Sequence, residues 1–363
     1  MMTNSSTYVL SVGLDLMSKF NYIWRLGDIE KVKKNGKKVF SCFSCGGGST
    51  MGYKLAGYDV IGNCEIDPQM NKIYLQNNHP KYNYNMDIRD FLALDEYPKE
   101  LHDLDILDGS PPCSTFSMAG DREAAWGKEK VFREGQKKQT LDDLFFVFID
   151  LVKKLRPKVA VAENVKGLLA KNAKGYVNEI IKQFSEAGYN VQIFLLNAAV
   201  MGVPQLRERV FFICTRKDLN LPGIKLEYHE DKIIYKDFAD NKYGKKLNED
   251  TETYKRWLQR SANDRDIGET LKNIHAKRCM FTQKYQRMND VPYTLIASQR
   301  PLRFDVPYFI SDKDVITIQT FPQDYDFMDA DSGYVCGMSV PPVMMAHIAS
   351  DIYEQLLKHL GGN

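Results

Sequence analysis

The apolar run Val39-Phe-Ser-Cys-Phe43 stops on Cys45-Gly-Gly-Gly48, and a helical pattern follows as far as Ala56-Gly57. Strand, glycine-rich turn and helix in that order begin an α/β unit, and a turn without side chains lets a ligand approach the backbone closely. The next apolar stretch, from Tyr58, ends in acids at Glu65 and Asp67. An acid at the end of a second strand, about 20 residues beyond the glycine turn, can bind the two hydroxyls of a ribose. Glu65 is the candidate. The turn is not G-x-G-x-x-G, which weakens a dinucleotide reading and leaves an adenosine-containing cofactor. A helix is expected from Gln69 to about Asn77. Asn85-Met-Asp87-Ile88 then reads as a third strand end with an acid. Asp87 suits an adenine amino group, or it caps the segment beginning at Arg89.

A second stretch constrains the chemistry. Asp105-Ile-Leu107 reads as the end of a buried strand, and Asp108-Gly-Ser-Pro-Pro-Cys113 breaks it. Two prolines block both helix and sheet continuation, because each lacks an N–H and fixes its own φ. Cys113 is therefore expected at a strand's carboxyl end, facing the crevice where open α/β sheets bind ligands. It is either a nucleophile or a buried structural thiol. From Ser114 to Thr140 the chain has six Lys/Arg, four Asp/Glu and almost no apolar periodicity. A long hydrophilic loop beside a nucleophile reads as a lid.

Leu141 to Leu155 is an amphipathic helix, ended by Arg156-Pro157. Val159 to Ala162 is a buried strand with Glu163-Asn164-Val165 at its carboxyl end. The Glu163 carboxyl either points into the same crevice as Cys113 or caps the following helix. That helix, Tyr176 to Ala187, leads to a strand over Val191–Leu196. Gln205-Leu-Arg207-Glu-Arg209 precedes the strand Val210–Cys214. Alternation along a strand puts both guanidinia on one side, as an anion clamp requires.

Composition excludes several classes. The 363 residues are 44% hydrophobic and 26% charged, an ordinary globular balance. A net charge of +2 says little about partners. No apolar run approaches the ~18–20 residues of a membrane span, and the first residues lack a signal-peptide pattern. Seven cysteines without framework spacing suggest free thiols in a reducing cytosol. Cys42 and Cys45 form a C-x-x-C, but no second pair completes a zinc site and Cys42 should lie within a strand. No metal is expected.

Taken in order, these motifs resemble those of the bacterial DNA (cytosine-5)-methyltransferase family. Phe43-Ser-Cys-Gly-Gly-Gly48 is similar to its cofactor loop. Glu65-Ile-Asp67 and Asp87-Ile88 match its ribose and adenine motifs. Pro111-Pro-Cys113 and Glu163-Asn-Val165 match its two catalytic motifs, and Gln205 to Arg209 its Q-x-R-x-R. Val315 to Pro322 resembles the motif that packs against the target-recognition domain, and Gly337-Met-Ser-Val-Pro-Pro342 the last cofactor motif. The likeness runs over about 39–215 and 300–358. Three departures stand out. Cys45 replaces the first glycine of the family's F-x-G-x-G-G, Met338 replaces an asparagine, and the first 37 residues match nothing in the family.

The resemblance implies an α/β fold: a Rossmann-like S-adenosylmethionine-dependent methyltransferase sheet with helices on both faces, plus a smaller target-recognition domain. An N-terminal extension (1–38) would precede a catalytic and cofactor domain (39–215, completed by 300–363), with target recognition over 216–299. That last span holds 17 Lys/Arg and 13 Asp/Glu with Tyr and Trp interleaved, which fits a DNA surface and equally an ordinary solvated domain. The implied cofactor is S-adenosyl-L-methionine, leaving as S-adenosyl-L-homocysteine. Phe43, Gly46, Gly47, Gly48, Glu65, Ile66, Asp87, Ile88, Pro111, Ser339 and Val340 would bind it. Cys113 would be the nucleophile, Glu163 the acid at the base edge, Arg209 the clamp on O2, and Arg207 its support. The implied substrate is cytosine in a specific double-stranded DNA sequence, for a cytoplasmic, monomeric, bacterial or phage-encoded enzyme, with a restriction endonuclease as a possible separate companion.

The alternative is a tRNA cytosine-5 methyltransferase, whose Cys-Phe-Thr signature Cys279-Met-Phe281-Thr282 resembles only loosely. Intact Cys113, Glu163 and Arg209 argue against a DNA-binding protein that has lost catalysis. A nicotinamide oxidoreductase lacks any hydride-transfer constellation.

Overall fold

Alternating side chains along the apolar runs build a sheet buried on both faces. The computed structural model describes residues 19–112, 144–275 and 283–360. Cys113, the expected lid over 114–140, the stretch Val9–Met17 and the Cys279–Thr282 segment lie outside the described residues. The first half runs β1 (Lys38–Cys42), α1 (Gly48–Leu55), β2 (Asp59–Cys64), α2 (Pro68–Asn78), β3 (Tyr82–Tyr84), α3 (Ile88–Leu92) and β4 (Ile106–Gly109). There follow α4 (Leu144–Leu155), β5 (Val159–Val165), α5 (Lys174–Glu186), β6 (Tyr189–Asn197) and β7 (Glu208–Arg216).

Among the described residues these strands form one sheet in the order β3-β2-β1-β4-β5-β7-β6. Neighbours from β3 to β5 pair parallel, whereas β7 pairs antiparallel with β5 and β6. Period-two alternation sorts the residues between the faces. Phe40, Leu107, Ala160 and Phe212 pack under α4 and α5 with Phe145, Phe148 and Phe184. Val39, Ile106, Val161 and Phe211 pack with Tyr53 of α1 and with Met345 and Ile348 further along the chain. The expected Rossmann-like sheet covered on both faces is what the chain builds. Strand order reverses between β1 and β4, and a crevice opens at the carboxyl ends of strands at such a point.

One boundary differs from expectation. Glu163, Asn164 and Val165 belong to β5 itself, because the antiparallel partner β7 extends the ladder through Phe211, Val210 and Arg209. A parallel neighbour alone stops at Ala162, opposite Gly109.

The remaining elements are α6 (Glu252–Leu258), α7 (Ile267–His275), β8 (Tyr285–Gln286), β9 (Leu302–Arg303), α8 (Asp312–Ile318), α9 (Ser332–Met338) and α10 (Pro342–Ile352). The expected final helix, Val343 to Leu357, changes character at Tyr353, where a π turn runs to Leu357. Leu247, Trp257, Ile267, Tyr285 and Leu302 form a small core of their own. Within 216–299, Ile224 and Leu226 instead join the main core. There Gln192 of β6 bonds both the N–H and the carbonyl of Ile224.

Candidate active site

The glycine loop starts where β1 ends. Its backbone turns through left-handed conformations at Phe43 (φ 53°), Cys45 (φ 47°) and Gly47 (φ 86°). Gly47 suits this without strain, whereas Cys45 holds a conformation that an L-residue adopts at a cost of roughly 1–2 kcal/mol. Gly48 is required by close approach, since a Cβ there would lie 2.3 Å from the carbonyl oxygen of Val340. The Cys45 N–H donates to Glu65 Oε2 at 2.7 Å, and the Asp67 N–H donates to Glu65 Oε1 at 2.8 Å. Burial pushes the Glu65 carboxyl up to about 7, with the two backbone N–H groups pulling the other way. Asp87 caps α3 by accepting from the Arg89 N–H at 2.8 Å, and it pairs with the Arg89 guanidinium at 3.1 Å. The capping alternative for Asp87 is thus what its side chain does, while the residue still borders the cavity.

That cavity has a volume of about 370 Å³. Phe43, Glu65, Ile66, Asp87, Ile88 and Pro111 line it, and so do Glu163, Arg207 and Arg209. Gly46, Gly47, Gly48, Ser339 and Val340 are not among the residues that line it. A Cβ on Gly46 would meet Val335, and Ser339 and Val340 face Gly48. Met338, in the family's asparagine position, lines the cavity and is 49% exposed.

On the other side of the cavity, Arg209 Nε lies 3.0 Å from Glu163 Oε1, with both side chains largely buried. The β5–β7 ladder sets this pair, because it places Glu163 and Arg209 two residues apart on adjoining strands. Arg207 is buried and turned toward backbone. It donates to the carbonyls of Leu295 (3.0 Å), Gly337 (3.1 Å) and Ser339 (2.9 Å). Its Nε has no hydrogen-bond partner among the described residues. The two guanidinia thus share the cavity but do different work: one pairs with an acid, the other ties three distant segments together.

Sequence reasoning gave no role to several residues within its own motifs. Asn164 donates from its side-chain amide to the carbonyl of Pro111 at 3.0 Å. Asp108 is buried and accepts from the hydroxyls of Ser41 (3.0 Å), Ser49 (2.6 Å) and Tyr53 (3.2 Å). Burial pushes its carboxyl up to about 6 against those three donors. An acid inside an apolar strand run was the available signal, since a buried carboxylate needs donors. Gln205 donates to the Ile318 carbonyl at 3.1 Å and to Gln319 Oε1 at 2.7 Å, and it accepts from the Leu295 N–H at 3.0 Å. Nothing local to the Q-x-R-x-R stretch announces those partners. Among the described residues no three His, Cys, Asp or Glu side chains gather as metal ligands, and no helix is long and apolar enough to cross a membrane.

The family model described as C-5 cytosine-specific DNA methylase matches residues 37–354. The chain belongs to this family. It is 39% identical over 191 residues to the type II methyltransferase M.FnuDI of Fusobacterium nucleatum, covering 53% of this chain and 50% of that one. It is 36% identical over 208 residues to the type II methyltransferase M.NgoPII of Neisseria gonorrhoeae, covering 56% of each. The chain therefore spans about half the length of these relatives. A solved structure of a protein encoded within an Escherichia coli prophage shares the family's fold with it. The TM-score is 0.63 at 20% identity, covering 88% of this chain and 99% of the other.

Proposed function

We propose that the protein methylates C5 of a flipped-out cytosine in double-stranded DNA, in a modification system of the type II or orphan kind. The observation that carries this reading is the Glu163–Arg209 pair at 3.0 Å, sharing one cavity with Glu65 and with the Pro111-Pro112 turn. A carboxylate, a guanidinium and the approach to a thiol meet there beside a cofactor-type loop.

The residues present fit S-adenosyl-L-methionine. Glu65 presents a buried carboxylate at the end of β2, already oriented by two N–H groups. Cavity and loop lie at the carboxyl ends of β1 and β4, where such sheets take their ligands. Glu65 would hold the ribose hydroxyls, Asp87 and Ile88 the adenine. Phe43, Ile66 and Pro111 would wall the site, while Gly46, Gly47, Gly48, Ser339 and Val340 would shape the loop beside it. Bound there, the cofactor supplies an electrophilic methyl group.

Cytosine C5 is too weak a nucleophile to take that group unaided. Cys113 would add as thiolate to C6, which turns C5 into an enamine-like carbon. Glu163 would hold the amino group and donate a proton at N3 to promote the addition. Arg209 would orient Glu163 and hold O2 as charge develops. Arg207 would keep the strand start and the 337–339 segment in register. Once C5 is methylated, loss of its proton expels the thiolate and restores both base and enzyme. The base must leave the duplex for any of this. Residues 216–299 would read the target sequence.

Purified protein should be incubated with labelled cofactor and either plasmid DNA or bulk tRNA, and modified cytosines mapped by bisulfite sequencing. Methylated cytosines in one DNA context are expected. Modification of tRNA alone would favour the alternative substrate, and no modified cytosine in either would sink the reading.

A further inference from the structure

Residues 19–36 precede the family match, and the catalytic reading gives them no task. Within them, Trp24, Arg25 and Leu26 are tied to one short segment. Trp24 is buried, 5% exposed. Its indole N–H donates to the Thr320 carbonyl at 2.8 Å, and its own carbonyl accepts from the Gln323 N–H at 2.8 Å. Beside it, the Leu26 N–H donates to Asp324 Oδ1 at 2.8 Å, and Arg25 Nε lies 3.4 Å from Asp324 Oδ2. Every one of these contacts lands within residues 320–324.

The other side of that short segment holds the glycine loop. The Phe321 ring would lie 3.3 Å from a Cβ on Gly48. Phe321 packs edge-on against Tyr325, with ring centroids 4.9 Å apart. The Tyr325 hydroxyl donates to the carbonyl of Gly46 and accepts from Asn78 Nδ2 at 3.3 Å. Thr320 itself has φ 59°, an uncommon conformation for a β-branched residue. Such a conformation persists only where the surroundings over-determine it. Trp24 holds its carbonyl, and the Val343 N–H donates to its hydroxyl at 3.1 Å.

A glycine loop has few side chains with which to hold its own shape, so its neighbours must hold it. We propose that Trp24 is a positioning residue for the cofactor loop. By docking on the Thr320 carbonyl, it fixes the 320–325 turn, and Phe321 and Tyr325 then set Gly46–Gly48 for S-adenosyl-L-methionine. The inference rests on the proposed reading that this loop receives that cofactor. The strap is thus part of the cofactor site although no atom of it need touch the ligand.

The test uses the full-length protein with Trp24→Ala, Tyr325→Phe and the double variant. S-adenosyl-L-methionine affinity is measured by calorimetry, alongside kcat, KM for DNA and thermal stability. Trp24→Ala should weaken cofactor binding about tenfold, with KM for DNA unchanged and kcat at saturating cofactor within about twofold. The double variant should be no weaker than the worse single one, because residues that act through one path do not add. Cofactor affinity unchanged in Trp24→Ala, or multiplied losses in the double variant, would overturn the proposal. Should Trp24→Ala fail to fold, Trp24→Phe removes the indole donor while keeping an aromatic ring in the site, and it should still weaken binding about threefold; unchanged affinity there overturns it equally. If the unaltered protein binds no S-adenosyl-L-methionine, the functional reading beneath the proposal fails first.

Discussion

The amide of Asn164 donates to the carbonyl of Pro111 at 3.0 Å, joining β5 to the proline turn that leads to Cys113. Two stretches that are 53 residues apart in the chain are thereby held as one unit. Asn164 is buried, so the bond is shielded from water. Losing the donor leaves a buried carbonyl unsatisfied, at a cost of about 1–3 kcal/mol. Asn164→Ala should lower kcat on the order of 100-fold, since small misplacements of a reacting group are costly. Steady-state methylation assays with denaturant melts check this; a kcat loss no larger than the stability loss alone explains would count against a positioning role.

Glu163 and Arg209 form a largely buried ion pair. Breaking such a pair by removing one partner costs about 3–5 kcal/mol, because the other charge stays behind unpaired. Arg209→Ala should therefore lower both stability and activity. Glu163→Gln keeps the shape and a hydrogen-bond acceptor, so it should spare more of the stability while abolishing measurable turnover. Urea unfolding and single-turnover methylation separate the two effects.

With Glu65 holding the ribose as proposed, cofactor binding should depend on pH. Its folded-state pKa is raised from 4.5 to about 7. Between those values the folded form keeps a proton that the unfolded chain has released. Its contribution to stability is therefore greatest below pH 4.5 and falls until about pH 7, by on the order of 3 kcal/mol in all. The ionised carboxylate accepts from ribose hydroxyls more strongly than the neutral acid, so cofactor affinity should rise with pH through about 7 and then level. Calorimetric titrations with S-adenosyl-L-methionine from pH 6 to pH 8.5 read this directly, and Glu65→Gln should flatten the profile.

Asp108 predicts a stability effect with a distinct pattern. Three hydroxyls converge on it from β1 and α1. Asp108→Ala strands those donors and opens a void, so it should cost roughly 3–5 kcal/mol. Asp108→Asn keeps one acceptor oxygen and should cost less than half as much. Chemical denaturation of the two variants decides; equal losses would mean that the hydroxyl contacts matter little.

Local order was the legible part of this protein. Period-two apolar runs, glycine turns and proline breaks identified β1, β2, β4, β5 and β7, together with the segments at their carboxyl ends, because these signals depend only on neighbours in the chain. The motif resemblance then assigned Glu65, Glu163 and Arg209 to one site, and the fold brings all three to one cavity. What the tertiary structure alone decided are the contacts that span long stretches of chain. Glu163 lies inside β5 because an antiparallel strand arrives from beyond β6. Arg207 turns to three carbonyls that lie 88, 130 and 132 residues away. Trp24 finds the Thr320 carbonyl 296 residues downstream. A hydrogen bond is set by where its partner's backbone ends up in space, and a one-dimensional pattern reports which face a side chain takes but not what waits there.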